Sequence, residues 1–162
     1  MQTHVESGAA AIGVVDATLR SYASRGVFQD FQMASSKAGA DFHFGWLHNQ
    51  PFTLSCDWQR KRLTLVDLLP GVERDSLLYR ELKAFLSGRS DADVPEHRRV
   101  DPAQAKLSSR LRGGVVSLEL TLAGSDYEYG ARKLINIGHE VFLFLSEYWA
   151  DYMWENFQLS ME

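Results

Sequence analysis

Residues 41–58 read DFHFGWLHNQPFTLSCDW, and this stretch decides the fold class. Apolar residues alternate with polar or small ones in two successive runs. The apolar residues are Phe42, Phe44 and Trp46 in the first run, and Phe52, Leu54, Cys56 and Trp58 in the second. A period of two puts alternate side chains on one face of a β-strand. The stretch therefore predicts two strands, 41–48 and 52–58, joined by a turn at Asn49-Gln50-Pro51.

Residues 59–69 extend this pattern. A turn is predicted at Gln59-Arg60-Lys61, and a third strand at 62–66. Leu68-Leu69-Pro70-Gly71 is expected to break that strand, because proline and glycine favour turns. Residues 41–66 therefore predict a three-stranded meander.

A separate hairpin is predicted near the middle of the chain. Residues 107–112 and 115–122 flank Gly113-Gly114, and paired glycines readily adopt the positive φ values of a two-residue hairpin turn. The second arm again alternates apolar and polar residues, so one of its faces is expected to be buried. The sheet should therefore contain about five strands.

Helical spacing surrounds these strands. Ser7 is predicted to cap a first helix that ends near 25–26. Asp75 is predicted to cap a second helix that ends at Gly88. The apolar stripes are Ile12, Val15, Leu19 and Tyr22 in the first helix, and Leu78, Leu82, Phe85 and Leu86 in the second. Both stripes have the period of an amphipathic helix.

The segment 127–157 is predicted to be one long amphipathic helix that Asp126 can cap. Its apolar residues step by three and four: Leu134, Ile137, Val141, Phe144, Leu145, Tyr148 and Tyr152. Gly138 opposes the prediction by about 1 kcal/mol relative to alanine. The remaining segments give weaker signals: 27–33 is ambiguous, 35–39 is a predicted loop, and 89–104 is a predicted loop because it contains two prolines.

The predicted order is α-β-β-β-α-β-β-α, which is an α+β fold with helices packed on an antiparallel sheet. A length of 162 residues is typical of a single domain, 1–162. The lone cysteine excludes an intramolecular disulfide and suits a reducing compartment, and no signal peptide is recognisable. We therefore expect a cytoplasmic protein. No apolar run is long enough to span a membrane.

This order is similar to that of the bacterial type III secretion chaperone-like fold, which includes the YbjN-like family of regulators. The resemblance covers most of the chain and rests on topology, size and acidic charge. It implies a small cytoplasmic protein, often a homodimer, that holds another polypeptide against its sheet and helix surfaces without ATP or metal. The resemblance implies no individual site residue.

The aromatic residues at the end of the last predicted helix are the candidate partner-binding site. They are Tyr148, Trp149, Tyr152, Trp154 and Phe157. These are more aromatic side chains than one sheet contact can cover, and exposed aromatic patches often mark interfaces. The alternative is that they fill the core. We expect residues 134–145 to be core and residues 148–157 to bind a partner protein or a second copy.

The residues that could carry catalysis or bind a cofactor form no recognisable motif. His139-Glu140 lacks the second histidine of a helical zinc motif, so neither a metal site nor a cofactor site is predicted. Cys56 shares the apolar face of its strand and is expected to be an inert core thiol. His43 is expected on the surface. A small enzyme with a site around His43, His97 and Asp101 is the alternative function.

Nucleic-acid binding is a further alternative, which the acidic net charge disfavours. The formal net charge is −4 and the sequence pI is about 5.7. The basic clusters are Arg60-Lys61-Arg62, near Trp58, and Arg98-Arg99. Binding to a phosphate backbone normally needs a broader basic face. A non-enzymatic protein-binding module is therefore the function that the sequence favours.

Overall fold

The computed structural model of the chain describes residues 2–159, and the side chains of residues 8–159. These residues form a six-stranded antiparallel sheet and four α-helices, which confirms the predicted α+β class. The elements in chain order are α1 (Gln2–Ser24), β1 (Gln29–Ser35), β2 (Gly39–Trp46), β3 (Gln50–Asp57), β4 (Arg62–Leu69), α2 (Leu77–Ser87), β5 (Ala105–Arg112), β6 (Val115–Leu122), α3 (Tyr127–Tyr148) and α4 (Ala150–Phe157). The strand order across the sheet is β1-β2-β3-β4-β6-β5.

The helices cover the apolar face of the sheet. α1 packs over β1 and β2, α3 over β4 and β6, and α2 over β5, while α3 also contacts α1 and α4. Side chains such as Phe42, Leu65 and Leu118 point into this layer and are fully buried. Their strand neighbours Asp41 and Thr64 point to the opposite face, which is polar. The core therefore lies between one sheet and one helical layer.

The predicted hairpin is confirmed. Gly113 and Gly114 have φ values of 58° and 79° and join β5 to β6. The apolar residues of β6 at the predicted alternate positions are all buried: Val116, Leu118, Leu120 and Leu122. The glycine pair thus supplies the left-handed turn that the sequence indicates.

β1 is the strand that the sequence did not predict. It lies within the segment 27–33 that was ambiguous, and it extends into the predicted loop 35–39. Six of its seven residues are exposed, so it has no alternation of buried and exposed side chains to detect. The sheet consequently has six strands rather than five.

The boundaries of several strands differ from the predicted ones. β2 ends at Trp46, because Leu47, His48 and Asn49 all have positive φ and form the turn, so Pro51 lies inside β3 opposite Gly45. β4 continues to Leu69 through an irregularity in its pairing with β6. Asp67 has a φ of 51° there, and its N–H donates to Ser117 Oγ at 2.8 Å.

Two predicted helix caps were wrong. α1 already begins at Gln2, so the backbone of Ser7 lies inside the helix. α2 is capped by Ser76 rather than Asp75: Ser76 Oγ accepts the Tyr79 N–H at 3.1 Å. Asp75 and Ser76 both have side chains that can cap a helix, and α2 begins one residue later than predicted, at Leu77.

The prediction of one continuous helix over 127–157 was also wrong. Trp149 has φ −135° and ψ 50°, which ends α3 and starts α4. In a straight helix, residues 142 and 157 would lie ~22 Å apart. Instead, the ring centroids of Phe142 and Phe157 are 5.5 Å apart. α3 is already ~33 Å long, longer than an eight-residue strand at ~27 Å, so a straight extension would leave the sheet. The chain turns back and buries its last apolar side chains.

α3 lies unusually close to the sheet at two glycines. A Cβ on Gly138 would come within 2.9 Å of Leu65 Cδ1 and 3.3 Å of Trp46 Cη2. A Cβ on Gly130 would come within 2.9 Å of Leu63 Cδ1 and of Leu122 Cδ2. A methyl group at either position would therefore require buried leucine side chains of the sheet to shift, which opposes the gain in helix propensity.

We expect opposite effects from the same substitution at two helical glycines. Gly13→Ala in α1 should raise the free energy of unfolding by about 1 kcal/mol, because its new Cβ meets nothing within 4 Å. Gly138→Ala should leave it unchanged or lower it by up to ~2 kcal/mol, because overpacking outweighs the gain in propensity. Urea denaturation followed by circular dichroism measures both. Equal stabilisation by the two variants would contradict the close packing of α3.

Candidate functional site: an aromatic groove between α2 and α3

The five aromatic residues predicted to bind a partner do not share one surface. Tyr148 and Trp154 are 65% and 59% exposed, whereas Tyr152 and Phe157 are buried. Trp149 is partly buried, and its Nε1 donates to Glu81 Oε2 of α2 at 2.9 Å. The turn at Trp149 therefore divides the predicted patch between the surface and the core.

The two buried residues hold α4 against the end of the sheet. Tyr152 donates its hydroxyl to the Pro70 carbonyl at 2.6 Å, and burial raises its pKa. The Phe157 ring packs against Phe52 and Phe142, with centroids 6.4 and 5.5 Å away. The Phe157 carbonyl accepts from Gln50 Nε2 at 2.8 Å. Tyr152 and Phe157 thus close the core.

A groove with aromatic walls opens between α2 and α3. The Phe85 and Phe144 rings stack with centroids 4.6 Å apart, and Tyr148 lies 5.4 Å beyond Phe144. Leu143 is 56% exposed beside them. The residues that line this aromatic groove are Phe85, Arg89, Arg98, Glu140, Leu143, Phe144, Glu147 and Tyr148. The groove therefore presents a mainly apolar strip to the solvent.

The charges of the aromatic groove are unequally distributed along α3. Near Glu140, Arg89 Nη1 donates to Glu140 Oε2, and Arg98 Nε lies 3.5 Å from Glu140 Oε1, so two cations share one carboxylate. The Arg89 guanidinium also lies over the Phe85 ring, 4.3 Å from its centroid. Glu147 is exposed, seven residues or ~10 Å farther along the helix. One end of the strip is basic and the other acidic.

This arrangement suits a partner segment with a short apolar face. Apolar side chains spaced by three or four residues on a helix would match the strip over two turns. Sequence reasoning placed Phe144 and Leu145 together in the core. Of these two residues, only Leu145 is fully buried. The sequence did contain a signal for this exposed surface. Near residue 143, α3 is apolar around more of its circumference than one contact with the sheet requires.

The residues of the predicted enzyme alternative are divided between two hollows. His97 and Asp101 line one hollow in the loop 89–104, together with Tyr129 and Lys133. His43 lines another, where its Nδ1 is 3.0 Å from Thr53 Oγ1. Within the described residues, the side chains of His97 and Asp101 form no hydrogen bond with each other. The exposure of His43 agrees with its predicted surface position.

The loop hollow is organised by backbone contacts. Tyr129 Oη accepts the Asp101 N–H at 2.9 Å. Lys133 Nζ donates to the carbonyl of His97 at 3.0 Å and to that of Glu96 at 3.4 Å. Burial lowers the pKa of Lys133, although the neighbouring carboxylate of Glu140 opposes that shift. These hydrogen bonds tie the loop to α3.

The basic turn at 60–62 is largely paired with acids. Arg60 Nε lies 3.8 Å from Asp57 Oδ2, and Arg62 Nε lies 3.8 Å from Glu119 Oε2. Trp58 is partly buried, and its indole lies directly over Gly8 of α1. Its ring is therefore not presented beside the turn, as base stacking would require.

The remaining predictions about chemistry concern metals and Cys56. Among residues 8–159, no three histidine, cysteine or acidic side chains are placed to hold a metal ion. Cys56 is buried on the apolar face of β3, as predicted. Burial raises the pKa of its thiol to about 12, and the carboxylate of Asp57 adds to the shift. A neutral thiol is a poor nucleophile.

The chain matches no protein-family model, no curated protein and no solved structure in the comparisons made. Within the described residues, no helix has the length and apolar character that crossing a membrane requires. The geometry of the surface therefore carries the functional argument.

Alanine substitutions of two aromatic residues should distinguish a core position from a surface position in α4. Phe157→Ala should lower the free energy of unfolding by about 3–4 kcal/mol, because it leaves a cavity beside Phe52 and Phe142. Trp154→Ala, at a 59% exposed position, should change it by less than about 1 kcal/mol. Chemical denaturation measures both values. Comparable losses would show that α4 does not fold back.

The raised pKa of Cys56 predicts how stability varies with pH. An unfolded thiol ionises near pH ~8.5, whereas the native thiol stays protonated until about pH 12. The unfolded state therefore binds fewer protons between these values, and the free energy of unfolding should fall as pH rises through this window. Native Cys56 should also resist a thiol reagent at pH 8.

Cys56→Ala is the control, since it removes the thiol and leaves the tyrosines in place. Its free energy of unfolding should fall less steeply between pH 8.5 and pH 10.5, measured by urea denaturation. Equal slopes for the two proteins, or rapid labelling of the native thiol, would contradict a buried neutral Cys56.

Proposed function

We propose that the chain is a non-enzymatic protein-binding module that holds a partner polypeptide in the aromatic groove between α2 and α3. The observation that carries the proposal is the exposure of Leu143 and Tyr148 beside the stacked pair Phe85 and Phe144. Large apolar side chains grouped in one groove often mark protein interfaces. The partner-binding site is therefore shifted from the one predicted from sequence, towards the middle of α3.

The proposed partner segment is an amphipathic helix. Its apolar residues would lie on the strip formed by Leu143, Phe144 and Tyr148. An acidic residue at one end would face Arg98, which is 59% exposed at its side chain, and a basic residue two turns away would face Glu147. Rim charges of this kind set orientation and association rate more than affinity.

The resemblance to the type III secretion chaperone-like fold is part of the proposal. The antiparallel sheet with helices on one face is compatible with a protein that holds another polypeptide. A cytoplasmic location and action without a cofactor belong to the same proposal. Fold similarity alone is a weak argument for function, so the proposal rests on the exposed apolar residues of the groove.

The test is capture of a partner through the groove itself. A photo-crosslinking amino acid at position 143 should form a specific adduct with a partner in a native lysate. The same amino acid at position 77 is the matched control, because Leu77 is 53% exposed but does not line the groove. Mass spectrometry identifies the adducts.

Leu143→Glu should then abolish retention of that partner in affinity capture, because a charge in the apolar strip must be desolvated. Leu77→Glu should retain it. Adducts that are the same from both positions, or a partner that Leu143→Glu still retains, would overturn the proposed function.

A further inference from the structure

The two edges of the sheet differ in charge. β5 forms one edge, and its exposed residues include three cations: Lys106, Arg110 and Arg112. β1 forms the other edge and carries a single charge, at Asp30. Basic side chains on an edge strand repel a second edge of the same kind. β5 is therefore protected against self-pairing, whereas β1 is not protected by charge.

The second half of β1 is regular enough to accept another strand. The pairing of β1 with β2 is irregular between Gln29 and Gln32, where Asp30 has a φ of 52°. From Gln32 to Ser35 the register continues without interruption. Met33 is 44% exposed although it belongs to the apolar face of the sheet. In the described part of the chain, the outer backbone edge of these four residues has no strand partner, and Met33 adds an uncovered apolar side chain.

The position of α1 suits pairing of β1 with its own copy. α1 packs over β1 and β2, and its Arg20 guanidinium lies over the Phe31 ring, 5.1 Å from the centroid. A two-fold axis perpendicular to the sheet would place two β1 strands antiparallel, ~4.8 Å apart, with both α1 helices on the same side. Each α1 would then lie about one strand spacing from the axis. The two helices would be ~10 Å apart, which is a normal packing distance.

The exposed side chains of α1 are compatible with the packing of two α1 helices side by side. Ala9, Gly13 and Ala17 are exposed and small. Asp16 and Arg20 form an ion pair of 2.8 Å on the side of the helix that reaches β1. An antiparallel pair of helices whose two-fold axis passes between Asp16 and Arg20 would bring Asp16 of each copy opposite Arg20 of the other. This side of α1 is therefore complementary in charge to itself.

From these observations, we propose that the chain forms a two-fold symmetric homodimer in which the β1 strands of two copies pair antiparallel. The two six-stranded sheets become one continuous sheet, and the two α1 helices lie side by side above the junction. The aromatic groove faces away from this interface. The dimer is independent of the proposed partner helix, so each proposal stands or fails separately.

The first test is the mass in solution. Analytical ultracentrifugation of the wild-type chain should give a mass of twice 18.3 kDa. Gln32→Lys should reduce this mass to that of the monomer, because it places like charges near the two-fold axis. Ser108→Lys is the matched control on β5 and should remain a dimer. Circular dichroism verifies that each variant is folded. A monomeric wild type, or a dimer that survives Gln32→Lys, would overturn the proposal.

The second test detects the formation of a covalent dimer rather than the loss of a dimer. The buried Cys56 leaves a cysteine introduced on the surface as the reactive thiol. A single cysteine placed in turn at positions 32, 33 and 34 should give a disulfide-linked dimer on mild oxidation at the position nearest the two-fold axis, because a disulfide needs Cα atoms within ~7 Å. Ser108→Cys on the other edge should not. Equal crosslinking from both edges, or crosslinking only from β5, would contradict pairing through β1.

Discussion

The close approach of α3 to the sheet is the contact on which the rest of the structure depends. Gly130 and Gly138 face the sheet two helical turns apart, directly over leucine side chains of β4 and β6 and the indole of Trp46. With nothing larger than hydrogen at these positions, α3 lies at the centre of the helical layer, and α1 packs beside it. The opposite side of α3 faces the solvent along the edge of α2. The same helix therefore organises the core and forms one wall of the aromatic groove.

The fold was predictable where side chains alternate between a buried and an exposed environment. β3, β6 and the Gly113-Gly114 hairpin have that alternation, and the structure contains all three. β1 was not predictable, because its exposed residues carry no period. The turn at Trp149 was not predictable either, since it contains neither proline nor glycine. It follows from the length of the sheet, which α3 already spans, and that distance is a property of the whole fold rather than of local sequence.

Only part of the candidate site could be predicted from the sequence, because its residues are brought together by the whole fold rather than by local sequence. Periodicity showed that the last helical segment has more apolar surface than one contact can bury. It did not show that Tyr152 and Phe157 would take the core positions while Leu143 and Tyr148 remained outside. The contribution of Phe85 and the arginines of the groove comes from segments more than 40 residues away along the chain. The two proposed binding surfaces are the aromatic groove, for a partner helix, and the β1 edge of the sheet, for a second copy.

The return of the chain at Trp149 converts a predicted aromatic interface into a closed core and leaves an exposed apolar groove between α2 and α3. The most direct measurement is the set of nuclear Overhauser contacts of the Phe157 ring. We expect contacts from this ring to Phe52 and Phe142, together with an interruption of the helical connectivities at Trp149. Uninterrupted helical connectivities from residue 127 to residue 157, without contacts between these rings, would contradict the return of the chain at Trp149.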